Sequence, residues 1–411
     1  MSLPTLAGAD WLRAPATRAL LDILDTGGEE ARVIGGAVRN TLLGEAVREV
    51  DVATTARPDE VMARTRAAGF KTIPTGVEHG TVTVVVDGTP FEVTTLREDV
   101  ETYGRHAQVR FGRDWVADAH RRDFTMNTLS VDRSGTLFDP VGGFPDVAAR
   151  RVRFVGNPDT RVREDYLRIL RFFRFHAHYG EGAPDADGLR AAIRGRDGLR
   201  RLSAERIAQE MRRLVVVRNA ADTLARMSEA GLVESVFGGI VYPERLERLA
   251  RLEAARAREA SPALRFAAAA CAIVEDAERI AVRLKLSNAE AKAMRVAVDA
   301  ARNFPVAPGR PARALYYRLG RTAYRTGAML AHARDADAPD AAPWPMLLDL
   351  ADASDPPAFP IGGKSLLKLG HPPGPGIGSE LARLEALWID SDFSLDRKSL
   401  LRLASPPSET G

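Results

Sequence analysis

Apolar residues recur along the first 150 positions with two different periods. From Trp11 to Leu24 they fall at helical spacing, which predicts an amphipathic helix with Asp10 as its N-cap. Ala31–Ile34 is a short apolar run ending at Gly35-Gly36, a strand leading into a tight turn, and a second helix follows through Asn40–Leu43 to Gly44. Period-two alternation predicts strands at Glu49–Ala53, Thr81–Val86 and Pro90–Thr95. The last two are joined at Asp87-Gly88, a dipeptide that supplies the positive φ angles of a hairpin turn. Between Leu96 and Ala119 the periodicity is lost in charged and Gly-containing sequence, which reads as a long functional loop. After Asp139-Pro140-Val141-Gly142-Gly143 the pattern turns helical, with breaks at 180–187, 304–311 and 335–345 rich in Pro, Gly, Ala or Asp. The expected fold is an α+β N-terminal head followed by all-α regions.

Composition narrows the picture. A chain of 411 residues is long enough for several compact units, each with its own core. With 45% hydrophobic and 27% charged residues it reads as globular rather than disordered. The net charge is only +3, and nearly all the basic residues are arginines, which suit phosphate binding although genome composition produces the same skew. Cys271 stands alone, which excludes an internal disulfide and a Cys-based metal site and fits a reducing, cytoplasmic setting. No apolar run approaches the ~18 residues of a membrane span, so no membrane partner is expected.

The densest chemistry lies at Gly35-Gly36-Ala37-Val38-Arg39, followed by Glu49-Val50-Asp51. A strand ending in two glycines and opening a helix lets backbone N–H groups approach a phosphate, and Arg39 adds a fork of donors. On a strand, Glu49 and Asp51 share a face and form a two-carboxylate grip on a hard cation such as Mg²⁺. Alone, each half also reads as an ordinary turn or a solvated strand face. With a third acid, Glu92, on a neighbouring strand, they describe a metal-dependent phosphoryl-transfer site with Glu49, Asp51 and Glu92 as its catalytic acids. Further on, Arg121-Arg122-Asp123 sets two guanidinium groups beside a carboxylate able to accept a ribose hydroxyl.

These motifs, together with Arg121-Arg122-Asp123-Phe124-Thr125-Met126-Asn127 and Glu164-Asp165-Tyr166-Leu167-Arg168-Ile169-Leu170-Arg171, resemble the class II tRNA CCA-adding enzymes and the related bacterial poly(A) polymerases. The specific resemblance covers Val33 to about Leu214. It implies a polymerase-β-like nucleotidyltransferase head (1–146), a helical neck with a nucleotide-selecting helix (147–225), a helical body (226–335) and a tRNA-binding tail (336–411). It also implies tRNA, CTP and ATP as substrates, addition of C, C and A, and two-metal nucleotidyl transfer. Arg122 is thereby assigned to nucleotide contact and Asp123 to the ribose, and Gly35, Gly36, Arg39, Arg171 and Arg174 join them in nucleotide binding.

Asp165 and Arg168 carry selectivity in this reading. Placed on one helix at i and i+3, an acid accepts from the amino group of C or A while an arginine donates to the adjacent ring nitrogen. Uracil and guanine present the reverse order. Ser203 is expected to cap a supporting helix through Leu214, and Gly142-Gly143 resembles the family's hinge. The loop holding Asp99, Arg105 and His106 corresponds to the flexible loop of A-adding enzymes, while Gly363–Gly370 and the Pro-Gly turn after it predict two tail helices. Two positions depart from the family pattern: Asn40 and Glu49 stand where Asp is common. The competing readings are a poly(A) polymerase and a catalytically silent tRNA-binding relative.

Overall fold

The computed structural model describes residues 3–103, 106–302, 304–305, 307–337 and 343–404, with the side chains of 98–103 and 106–109 set aside. The chain forms two compact units, Met1–Asn219 with Glu229–Val236, and Ala220–Ser228 with Phe237–Gly411.

The first unit opens with α1 (Asp10–Arg13) and α2 (Pro15–Leu24) where one helix was expected. The break falls at Ala14 (φ −57°, ψ 133°), because the ring of Pro15 disfavours helical geometry in the residue before it. Ala9 is the N-cap, and Asp10 is the first helical residue. There follow β1 (Ala31–Ile34), α3 (Gly36–Leu43), β2 (Asp51–Thr54), α4 (Pro58–Ala67), β3 (Lys71–Gly76), β4 (Thr81–Val86) and β5 (Thr89–Thr95). The β4–β5 turn has positive φ at Asp87 and Gly88, as that dipeptide predicts. β2 begins at Asp51, so Glu49 lies in the loop before it and strand alternation does not set its direction.

The segment expected as a loop is mostly regular. β6 (Arg97–Tyr103) pairs with β7 (His106–Phe111) as a separate antiparallel ribbon, and α5 (Trp115–His120) follows with Asp114 as its N-cap. A ribbon outside the main sheet needs no apolar face, so its sequence shows no hydrophobic alternation. Asp99 and His106 lie on its two strands, and Arg105 falls outside the described residues.

With β8 (Ser130–Val131) and β9 (Leu137–Phe138) the main sheet runs β3-β4-β5-β2-β1-β8-β9. Of its pairs only β2–β5 is parallel. Val33, Val52, Val82, Val84 and Val93 pack under Leu20, Leu21, Leu24 and Val61, all buried. Helices α6 (Phe144–Ala148), α7 (Pro158–Glu164), α8 (Leu167–Tyr179), α9 (Ala186–Gly195) and α10 (Ala204–Val215) complete this unit.

One aromatic cluster positions the site. Phe124 lies 5.0 Å from Phe154 and from Phe175, and Phe154 stacks 5.4 Å from Phe172. Burying each ring contributes about 2 kcal/mol, enough to clamp the turn at Arg122-Asp123, which follows α5, onto α8.

The chain continues through α11 (Ala220–Glu229) and α12 (Val233–Phe237). The second unit takes in α11 up to Ser228 and then α13 (Pro243–Ala255), α14 (Pro262–Ala270), α15 (Val274–Arg283), α16 (Asn288–Arg302), α17 (Arg310–Arg334), α18 (Trp344–Ala353), α19 (Gly363–Leu367), α20 (Pro375–Asp390) and α21 (Arg397–Leu403). α17 is interrupted at Gly320 (φ 73°, ψ 171°), a conformation open to glycine. Ile361, Leu366, Leu384, Trp388 and Leu400 form a small core joining the last three helices. No helix among the described residues is long and apolar enough to cross a membrane.

Candidate active site

The sheet brings the glycine turn and the acids to one edge. β1 ends at Ile34, which pairs with Asp51 at the start of antiparallel β2, and Asp51 in turn stands opposite Glu92 on parallel β5. Gly35 adopts φ 63°, ψ −116°, outside the range of a residue with a side chain, and from it α3 begins. The first-turn N–H groups of α3 have no partners within the helix. Asp51 is pushed up to about 6 by burial, then by the charges of Glu92 and Glu49, with Arg122 opposing. Thus three acids predicted from sequence act on one another here, although Glu49 reaches the site from a loop.

Arg39 is buried against the other side of the turn. It donates to Asn40 Oδ1 from Nε and Nη2 (3.1 and 2.8 Å), to Asn127 Oδ1 (2.5 Å) and to the Tyr179 hydroxyl (2.6 Å), with the Tyr179 ring 4.0 Å away. All these acceptors are neutral. Burial pulls its pKa down from the ordinary value while Tyr179, Asp123 and Glu45 oppose that. Asn40 Nδ2 also donates to Ala46 O (2.9 Å), so the residue that departs from the family pattern ties Arg39 to the loop leading into Glu49.

Arg121 and Arg122 converge on buried Asp118, with Arg122 Nη2 at 2.9 Å. Burial raises the Asp118 pKa, but the two guanidinium groups outweigh it and hold the carboxyl below its usual range. Asp123 is more committed than its predicted ribose role implies. Oδ1 accepts from Phe124 N (2.9 Å) and Asn127 Nδ2 (3.0 Å), and Oδ2 accepts from Arg171 Nε and Nη2 (2.8 and 2.6 Å). Four bonds fill the carboxylate's acceptor capacity, so a ribose hydroxyl would replace one of these donors. Burial raises this carboxyl, yet Arg171, Asn127 and the Phe124 N–H together lower it.

The expected helical spacing of Asp165 and Arg168 is corrected by the structure. Asp165 (φ −153°, ψ 108°) sits between α7 and α8, and only Arg168, Arg171 and Arg174 lie on α8. Its Oδ1 accepts from Leu167 N (3.1 Å) and starts the helix, while Oδ2 accepts from Arg206 of α10 (2.6 Å). Aspartate competes for backbone N–H groups and so favours such a junction over a helix interior. Arg168 donates to Arg161 O (2.8 Å) and pairs with Glu164. Arg174 donates to buried Glu210 (2.5 Å), which also faces Arg171 at 3.6 Å. The sequence predicts α10 as a supporting helix but not the pairing of Arg206 with Asp165, nor the supports from Glu210, Tyr179 and Arg161. The signal for two of them is the i, i+4 pair Arg206 and Glu210 on strongly amphipathic α10. Ser203 is at the N-cap position of that helix, without a side-chain capping bond.

Two clefts meet at Gly36, Arg39 and Arg171. One, of about 450 Å³, is lined by Gly35, Arg122, Asp123, Asn127, Asp165 and Arg168. The other, of about 640 Å³, holds Glu49 and Asp51 opposite Arg174 and Arg213. Behind them, the Asp139 carboxylate accepts from Gly143 N (2.7 Å) and Phe144 N (2.9 Å). A Cβ at Gly143 would lie 2.1 Å from Thr125 O, so close packing demands glycine there.

Among the described residues no group of three or more His, Cys, Asp or Glu side chains is arranged to hold a metal ion by itself. Glu49 and Asp51 line one cleft as an open two-carboxylate arrangement, which suits a cation shared with substrate phosphates, and a cation there would offset the burial and the neighbouring charges that raise Asp51.

Residues 31–153 match the model of the poly A polymerase head domain. The chain is 34% identical to the mitochondrial CCA tRNA nucleotidyltransferase 1 of Danio rerio, over 94% of this chain and 89% of that protein. It is 44% identical to the CCA-adding enzyme of Geobacillus thermodenitrificans over 51% of each chain. Among solved structures, the Bacillus stearothermophilus CCA-adding enzyme in complex with CTP is similar at TM-score 0.74 and 29% identity, covering 94% of this chain and 95% of that one.

Proposed function

The chain belongs to the CCA tRNA nucleotidyltransferase family, and from that premise we propose how its residues add C, C and A to the 3′ end of tRNA from CTP and ATP, releasing pyrophosphate. The observation that carries the reading is the meeting of the two clefts at Gly36, Arg39 and Arg171. The base-reading groups Asp165 and Arg168 line one cleft, and the acids Glu49 and Asp51 line the other.

Asp165 and Arg168 face the pairing edge of the incoming base. Each has its own protein partner, so neither is neutralised by the other. C and A offer an amino donor beside a ring acceptor and satisfy both. U and G present donor to donor and acceptor to acceptor, leaving the base-facing position of each group unmatched at roughly 1–3 kcal/mol per group. Arg122, Arg39, Arg171, Arg174 and the first turn of α3 hold the triphosphate across the junction. Asp123 fixes Arg171 and yields one acceptor position to the ribose.

Mg²⁺ fits the acids: Glu49 and Asp51 would hold it, with Glu92 alongside, and when bound it supplies charge neutralisation for the attacked α-phosphate and leaving pyrophosphate and promotes ionisation of the attacking hydroxyl. The glutamate at position 49 preserves the charge with a longer reach, suited to a residue that enters from a loop. The division into head (1–146), neck (147–225), body (226–335) and tRNA-binding tail (336–411) is part of this proposal, as is a cytoplasmic setting inferred from the lone, buried Cys271.

The test supplies tRNA lacking CCA, ending in C, or ending in CC, with labelled CTP or ATP and Mg²⁺. Addition up to CCA followed by arrest supports the reading. Long A tails would instead indicate a poly(A) polymerase, and no incorporation a silent relative.

A further inference from the structure

We infer that Arg245, Arg248 and Arg334 of the second unit form a docking patch for backbone phosphates of the RNA substrate. This rests on the proposed function and extends RNA contact to α13 and the end of α17, away from the expected tail.

Three observations converge. Arg245 Nη1 and Arg334 Nη2 both donate to the Cys271 carbonyl oxygen, at 3.4 and 3.2 Å, so the two guanidinium groups stand side by side. Arg248 Nε donates to Ala333 O (2.8 Å), next to Arg334 along the chain. All three are partly exposed, and among the described residues none forms an ion pair. Each guanidinium has five donors and spends one of them on these carbonyls, which leaves most of its hydrogen-bonding capacity unused.

The nearby acids are already committed. Asp276 accepts from Ala272 N (2.8 Å) and Ile273 N (3.2 Å) and pairs with Arg279 (2.9 Å). Asp335 accepts from Trp344 Nε1 (3.0 Å) and Asp337 N (3.0 Å). Arg334 Nε is buried without a hydrogen-bond partner. Burial chiefly, then Arg245, pulls the Arg334 pKa down, while Cys271, Tyr242 and Asp276 oppose.

Cations at helix C-termini are favourable by themselves, and Cys271 and Ala333 lie at the ends of α14 and α17. One cation per helix end meets that need. Two on the Cys271 oxygen, with a third on the carbonyl of Ala333 at the end of α17, build a local excess of positive charge that an anion resolves. A phosphodiester has two unesterified oxygens, matching adjacent guanidinium forks.

The experiment uses the full chain with Arg245→Gln and Arg334→Gln, singly and together. Glutamine removes the charge, but its amide ends two bonds short of the Nη donors and gives up the Cys271 bond, so the melting temperature is needed to separate that loss from loss of phosphate contact. The affinity for tRNA ending in CC, its salt dependence, and the separate KM values for tRNA and CTP are measured beside the melting temperature. The double variant is expected to bind tRNA more weakly, with the slope of log affinity against log salt reduced by about 2. CTP KM and kcat at saturating tRNA stay within about twofold of wild type, since uniform binding of one substrate is what is lost. Unchanged tRNA affinity and slope in a folded double variant would overturn the patch. So would a matched rise in both KM values with a lower melting temperature, which marks a structural role. A wild-type protein that binds no tRNA would bring down the functional reading itself, and the patch with it.

Discussion

Replacing Asp51 by Asn should stabilise the metal-free protein while abolishing its chemistry. The Asp51 carboxyl is raised from 3.8 to about 6, chiefly by burial and then by Glu92 and Glu49. A shift of about 2 units corresponds to about 3 kcal/mol, and water reaching a partly exposed carboxylate trims this to about 2–3 kcal/mol. The sign follows from which state holds the proton. Below pH 3.8 the acid is protonated folded or unfolded and costs nothing; between 3.8 and about 6 the unfolded chain ionises first and stability falls; above about 6 the full cost is present. Asparagine keeps the shape and removes the charge. In EDTA at pH 8 the variant should therefore melt about 4–10 °C above wild type, with the gap narrowing by pH 5. Added Mg²⁺ should raise the wild-type melting temperature far more than that of the variant, and CMP incorporation by the variant should be lost. An Asn variant no more stable than wild type in EDTA at pH 8 would refute the claim that these acids repel one another in a site awaiting a cation.

Arg168→Ala should erode discrimination against UTP and GTP by about 5–100-fold, read as the ratio of kcat/KM for CTP to that for UTP, because one of two mismatched groups is gone. Gly143→Ala should destabilise the first unit by at least about 2 kcal/mol in urea unfolding, since its Cβ would stand 2.1 Å from the Thr125 carbonyl oxygen. Asn40→Asp should give buried Arg39 a counter-charge at the cost of the donor to Ala46 O, and should weaken CTP binding because part of the arginine's charge is then spent internally; a KM for CTP at or below wild type would contradict this.

The parts of the site legible in the sequence were those governed by local rules. Gly35-Gly36 before an apolar helix and Asp87-Gly88 between alternating runs announce backbone conformations that few other residues adopt. The acids were legible as a set, but strand alternation did not place Glu49, whose position depends on the loop held by Asn40 at Ala46. The break at Pro15 and the start of α8 after Asp165 followed from local chemistry as well, yet hydrophobic periodicity ran across both and hid them. The β6–β7 ribbon was illegible for the opposite reason, since two strands outside the core leave no apolar pattern. Partner choice across the fold was beyond local reading: nothing near Asp165 in the chain indicates Arg206, 41 residues away.

In the proposed mechanism, that long-range pairing keeps the two base-reading groups apart. An acid and an arginine placed beside an empty pocket tend to pair with each other, which would close the reading edge. Here Arg206 holds Asp165 from α10, and Glu164 holds Arg168 from the end of α7. The same helix α10 sends Glu210 to Arg174 and Arg171, so one element fixes both the acid proposed to read the base and two arginines proposed to hold phosphate. Selectivity and phosphate positioning are therefore coupled through α10. Loss of Glu210 should reach base discrimination only indirectly, whereas loss of Arg206 should free Asp165 to collapse onto Arg168 and cost C and A incorporation more than it admits U or G.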